Sequence, residues 1–209
     1  AFGSCYALET VEFNAIDCDI KSNDIFYGCN AINSLTIGNK VTKIPYRFMV
    51  DKVNVTAVQI PSSVKELGKN AFSNTNLVSV TVPSNVKRIS ERCFSGCKNL
   101  KNVIFENGVE YIEYEAFYNS SAALDSMVIP ESMIEIAPDA FKGIASVDNL
   151  YFNAACHEYD LRLYDDDIYS DTYLDPDYIV TMSFSGRFAD IFSEGTQINK
   201  LTVGESVKY

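Results

Sequence analysis

At 209 residues, with 47% hydrophobic and 12% aromatic content, the chain has ample material for a packed core and room for one or two ordinary domains. No run approaches the roughly 18 to 20 apolar residues that span a bilayer, and the opening AFGSCYALETVEF lacks the basic-then-apolar order of a secretion signal. A formal charge of −11 argues against nucleic acid, because phosphate contacts require clustered Lys and Arg.

A repeat organises the chain and is clearest over residues 85–105. There NVKRISERCFSGCKNLKNVIF reads V-x-x-I-x-x-x-C-F-x-x-C-x-x-L-x-x-V-x-F. In chain order the first copy is entered part-way, with Phe2, Cys5, Leu8, Val11 and Phe13. Ile25, Phe26, Cys29, Ile32, Leu35 and Ile37 follow, then a looser copy with Val41, Ile44, Phe48, Val55, Val58 and Ile60. Val64, Leu67, Ala71, Phe72, Thr75, Leu77, Val80 and Val82 fill the template with one deletion. Beyond residue 105, Val109, Ile112, Ala116, Phe117, Ser120, Leu124, Met127 and Ile129 fill it with one insertion. Met133, Ile136, Ala140, Phe141, Ile144, Val147, Leu150 and Phe152 make the next copy. A phenylalanine column therefore runs 2, 26, 48, 72, 94, 117, 141, and a strand column runs 13, 37, 60, 82, 105, 129, 152.

Each copy ends in L-x-x-V-x-I, whose last residues alternate in and out as a strand does. Pro61, Pro83 and Pro130 follow at strand ends, where a missing N–H is tolerated. The V-x-x-I segment is too short for a helix and reads as a second short strand or a turn. The A-F-x-x-C segment reads as one helical or 3-10 turn with Phe pointing inward. No copy can enclose its own apolar side chains, so about eight stacked copies must make the core together.

The pattern I-P-x-x-V-x-x-I-x-x-x-A-F-x-x-C-x-x-L-x-x-V, carried by IPSSVKELGKNAFSNTNLVSVTVP at 60–83 and CFSGCKNLKNVIF at 93–105, resembles the BspA-type leucine-rich repeat. The resemblance covers residues 1–152 and returns at 179–209. It implies a leucine-rich-repeat-like α/β repeat solenoid. The expected fold is a β-rich right-handed superhelix with a parallel sheet on one face and short helical or 3-10 turns. It also implies a secreted or cell-surface module for adhesion or for binding a host or matrix protein. Carbohydrate binding and a structural spacer role are the alternatives. The expected organisation is one solenoid over 1–209, cut from a longer array.

After Phe152 the next clear strand, Ile198, Leu201 and Val203, lies 51 residues on, with a degenerate copy at Ile179, Met182 and Phe184 between them. Residues 154–178 hold eight acids against Arg162, −7 of the −11, together with Tyr159, Tyr164, Tyr169, Tyr173 and Tyr178. This is an acidic insertion, too aromatic for simple disordered filler. Asp165, Asp166, Asp167, Asp171, Asp175 and Asp177 raise calcium, but the loop glycine and the closing glutamate of the helix-loop-helix site are missing. A solvated acidic loop is the favoured reading.

No metal, cofactor or catalytic residue is expected. Cys5, Cys29 and Cys97 share a repeat column with Thr75, Ser120 and Ile144, and Cys93 takes an alanine position, so these cysteines read as unbridged packing residues. His157 is the only histidine, and no nucleophile elbow or phosphate-binding glycine motif occurs.

The outward strand position, coil by coil, is Glu12, Thr36, Gln59, Thr81, Ile104, Val128, Tyr151, Ser183, Thr202. Ile104, Val128 and Tyr151 break an otherwise polar face in successive coils, and Asn102, Ser126 and Asn149 flank them two residues earlier. These six are the candidate residues for binding a protein ligand, whereas the carbohydrate alternative uses the tyrosines of the insertion as stacking platforms. The competing reading is that the insertion folds over the stripe.

Overall fold

The structure is a computed structural model that describes residues 2–18, 24–154, 191–192 and 195–204. Among the described residues the chain winds as a parallel β-solenoid of about six turns. The strands are β1 (Thr10–Phe13), β2 (Ser34–Ile37), β3 (Lys43–Ile44), β4 (Glu66–Leu67), β5 (Ser79–Val82) and β6 (Arg88–Ile89). They continue as β7 (Asn102–Phe105), β8 (Tyr111–Ile112), β9 (Ala123–Ile129), β10 (Glu135–Ile136), β11 (Ser146–Phe152) and β12 (Gln197–Val203).

The L-x-x-V-x-I segments stack in parallel, giving a five-stranded sheet in the order β12-β11-β9-β7-β5 and a separate pair β1-β2. Alternation decides which side chains face in: Val80 and Val82 are buried while Ser79 and Thr81 are exposed. Residues 57–60 form no strand between β2 and β5, although Val55 and Ile60 stay in the core. The V-x-x-I segments are two-residue strands that line a second face as β3-β4 and β10-β8-β6.

The described residues contain essentially no helix, so the expected helical or 3-10 turns are replaced by another device. Five of the A-F-x-x-C segments carry two left-handed residues four apart, among them Asn70 with Asn74 (φ 55° and 57°), Arg92 with Gly96 (54° and 74°) and Asp139 with Gly143 (59° and 89°). Helical φ cannot persist across such interruptions. The freed N–H groups instead bond to the neighbouring coil. Asn70, Phe72 and Asn74 donate to the carbonyls of Glu91, Cys93 and Ser95 at 3.1, 2.9 and 2.8 Å. Intervening residues close local turns, as Ala71 N–H to Gly68 O at 3.1 Å. Backbone pairing thus continues around the coil, which satisfies buried polar groups without helix.

Phenylalanine rings form the axis of the core. Phe72, Phe94, Phe117 and Phe141 stack in sequence with centroids 5.5, 5.1 and 5.3 Å apart, and all four are fully buried. The column has two corrections. Phe2 is 59% exposed, since it has a ring neighbour, Phe26, on one side only. Phe48 sits one residue early: Met49 N–H bonds to Ala71 O just as Phe72 N–H bonds to Cys93 O. Met49 therefore holds the phenylalanine place and Phe48 the alanine place, so Phe48 meets Phe72 edge-on at 90°.

The degenerate copy at Ile179, Met182 and Phe184 lies outside the described residues, as does 155–178 of the insertion. No strand separates β11 from β12, because they pair directly, Leu150 opposite Leu201 and Phe152 opposite Val203. The next ring in the column is Phe192, stacked on Phe141 at 5.2 Å. One coil gap in space therefore spans the 51 residues between Phe152 and Val203.

Coils approach closely at Gly68, whose amide donates to Ile44 O at 2.9 Å. A Cβ there would lie 2.5 Å from the Pro45 carbonyl carbon and 2.5 Å from the Tyr46 nitrogen.

Candidate functional site

The register assembles the predicted stripe in one row. Thr81 pairs Ile104, Ile104 pairs Val128, Val128 pairs Tyr151, and Tyr151 pairs Thr202. Ile104 and Tyr151 are each 39% exposed, and Val128, the middle of three bulky neighbours, is half-buried. Strand spacing puts Ile104 about 10 Å from Tyr151. Threonines bound the stripe at both ends, so the apolar patch is three strands wide.

The second row, Ser79, Asn102, Ser126, Asn149 and Lys200, is likewise in register. Its polar groups are partly engaged among themselves. Ser126 Oγ lies 2.7 Å from Asn102 Oδ1 and donates to it, and Asn149 Nδ2 donates to Asp125 O at 3.0 Å. Such bonds orient the amides, leaving a rim beside the apolar row. The insertion residues that would cover the stripe lie outside the described residues.

The cysteine column is buried except at its start. Cys29 and Cys97 are fully buried and Cys5 is exposed, all three free. Thr75 Oγ1 lies 3.2 Å from Cys97 Sγ, and burial pushes the Cys97 thiol up to about 11. Full burial, with Cys97 nearby, also raises the Cys93 thiol well above its ordinary value. Thiols held this far above neutral pH are poor nucleophiles. Cys156 and His157 lie outside the described residues. Among the described residues no group of three or more His, Cys, Asp or Glu could hold a metal, and no helix is long and apolar enough to cross a membrane.

The column holds one member that the repeat pattern missed. Asp51 N–H bonds to Ser73 O as Asn74 N–H does to Ser95 O, which aligns Lys52 with Thr75. Every other coil places a small or apolar side chain there. Lys52 is instead a lysine with its side chain 2% exposed, 3.6 Å from the Asp24 carboxylate, and its ammonium donates to Val50 O at 2.9 Å. The signal in the sequence was a gap: the looser copy offered no small residue at this position.

On the short-strand face, inter-coil ion pairs run from a base to an acid one coil on. Lys43 meets Glu66 at 3.1 Å, Lys69 meets Glu91 at 2.9 Å and Lys87 meets Glu110 at 2.8 Å. Arg92 donates to the Glu115 carboxylate. That bond, helped by the Tyr114 hydroxyl, holds the carboxyl below the usual glutamate value against the opposing effect of partial burial. The three lysine pairs, largely exposed, act as register marks more than as sources of stability.

A leucine rich cell surface protein from Faecalibacterium prausnitzii A2-165 is similar in structure, with a TM-score of 0.58 and 26% identity over 71% of this chain. The match spans 41% of that protein's chain, less than half its length. A leucine-rich repeat protein from Bacteroides ovatus aligns over 74% of this chain and 58% of its own, at 15% identity and a TM-score of 0.42. No curated protein matches the chain significantly. The BspA type leucine rich repeat region matches residues 1–77 and 65–166, in 6 copies. The chain belongs to the BspA-type leucine-rich repeat family.

Proposed function

We propose that the chain is a secreted or cell-surface recognition module that binds a host or matrix protein across β7, β9 and β11. The observation that carries this reading is the row Ile104, Val128, Tyr151, a contiguous apolar stripe on a sheet face that is otherwise small and polar. Apolar patches rimmed by polar residues mark interaction sites, and tyrosine is enriched among residues that dominate binding energy. Asn102, Ser126 and Asn149 supply the polar rim. The Faecalibacterium protein, described as a cell surface protein, supports the location.

The test is a binding screen against purified matrix proteins, with wild type and Tyr151→Ala side by side. A tyrosine that acts as a binding hot spot contributes about 2 kcal/mol or more, roughly 30-fold in affinity. Such a loss with an unchanged melting temperature is the expected result. Equal affinity of the two proteins for every ligand found would overturn the assignment of the site.

A further inference from the structure

The coils carrying Tyr6, Tyr27 and Lys52 line an open depression of about 320 Å³, to which no residue of β7, β9 or β11 contributes. We infer that it is a saccharide-binding site, in which Tyr6 and Tyr27 take the apolar face of a neutral sugar ring and Asp51 and Asn30 bind its hydroxyls.

Tyr6 is 74% exposed and Tyr27 71% exposed, the two most exposed large apolar side chains among the described residues. Both line the same depression. They come together because Ser4 N–H bonds to Tyr27 O at 2.6 Å, which sets the first coil on the second. Two rigid amphipathic rings present large contact area at little entropic cost, and Tyr, Ser, Gly and Asn are the residue types that adaptable recognition surfaces favour. Ser4, Gly28 and Asn30 complete this composition here.

The polar groups suit a polyol. Asp51 uses Oδ1 to accept from Asn74 Nδ2 at 2.8 Å, an anchor that orients its other oxygen. A carboxylate accepts from hydroxyl donors, and an amide such as that of Asn30 both donates and accepts. The Asp24–Lys52 pair forms the floor. Lys52 is the residue that departs from the column of small or apolar side chains, and its ammonium is buried against the Asp24 carboxylate. Lys52 neutralises Asp24, so Asp51 leaves the depression a net charge of about −1, which disfavours a phosphorylated ligand and suits a ring whose hydroxyls donate to the carboxylate. The volume is near the lower bound of small-molecule sites, matching one or two sugar units.

The experiment is saturation-transfer NMR on the full chain with methyl glycosides of glucose, galactose, mannose and N-acetylglucosamine. At least one glycoside should receive magnetisation at its ring C–H protons. Tyr27→Ala and Tyr6→Ala should each weaken its binding about 2- to 10-fold, the range of an aromatic contact. Both variants should keep the wild-type melting temperature, because the side chains removed are exposed. Tyr151→Ala should bind the glycoside as wild type does, which separates this site from the sheet face. No transfer to any of the four glycosides would overturn the inference. So would undiminished binding in both tyrosine variants, or loss of sugar binding in Tyr151→Ala. A matrix protein that loses affinity on Tyr27→Ala, while no glycoside binds, would reassign the depression to a protein partner.

Discussion

Replacing Phe94 by alanine probes the stack on which the solenoid rests. The ring is fully buried, with Phe72 on one side at 5.5 Å and an interplanar angle of 6°, and Phe117 on the other at 5.1 Å and 17°. Losing the burial of a phenylalanine side chain costs about 2 to 3 kcal/mol. A ring-sized void of about 100 Å³ adds about 2.4 kcal/mol at the measured cost per unit of cavity volume. The sum is about 4 to 5 kcal/mol, a large fraction of the 5 to 15 kcal/mol that usually holds a domain together. Phe2 makes the internal control: it is 59% exposed and stacks on a single ring at 5.8 Å, so Phe2→Ala should cost about 1 kcal/mol or less. Urea unfolding followed by circular dichroism would report both, and with a slope of about 2 kcal/mol/M the Phe94→Ala midpoint should fall by about 2 M. A Phe94→Ala loss below about 1 kcal/mol, or equal losses for Phe2→Ala and Phe94→Ala, would refute the stacked register.

Gly68→Ala should destabilise by about 1 to 3 kcal/mol, the usual effect of overpacking, because the new Cβ meets backbone atoms of Pro45 and Tyr46 at 2.5 Å; thermal melting checks it. Alkylation of the native protein should modify Cys5, which is exposed, while sparing Cys29, Cys93 and Cys97, which are buried; peptide mass mapping before and after denaturation separates them. Glu115, with its carboxyl held below the usual value by Arg92, contributes stability that is fully present above the unfolded glutamate pKa of about 4.3 and is lost as pH falls through the lower folded value. The stability difference between wild type and Glu115→Gln should therefore be constant near pH 7 and shrink below about pH 4, as denaturation at several pH values would show.

The strand columns and the ring stack were legible in the sequence because burial repeats with the coil: Val80, Val103, Met127 and Leu150 recur at one register and all are buried. The stripe was legible for the same reason, since a parallel register fixes which outward residues become neighbours. The turns were not. Their left-handed residues include Arg47, Arg92 and Glu115, side chains that carry no conformational signal as glycine or asparagine would, so the segment reads as helical until its hydrogen bonds are seen. The shift of Phe48 was hidden because phenylalanine satisfies the pattern at either of two adjacent places, and only the amide of Met49 reveals which one it holds. Phe192 escaped because the column resumes beyond a long insertion, where sequence spacing no longer measures distance in space. The Tyr6–Tyr27 depression depends on contact between coils at residues that vary from copy to copy, which a search for recurring columns passes over.

The most direct measurement of the recognition claim compares the affinity of one matrix-protein ligand for wild type, Ile104→Asp and Ile134→Asp. Both isoleucines are exposed, Ile104 at 39% on β7 and Ile134 at 53% beside β10, so neither charge should unfold the chain. Ile104→Asp should abolish measurable binding while Ile134→Asp binds as wild type does. Retained affinity in Ile104→Asp, or equal loss in both variants, would contradict the claim.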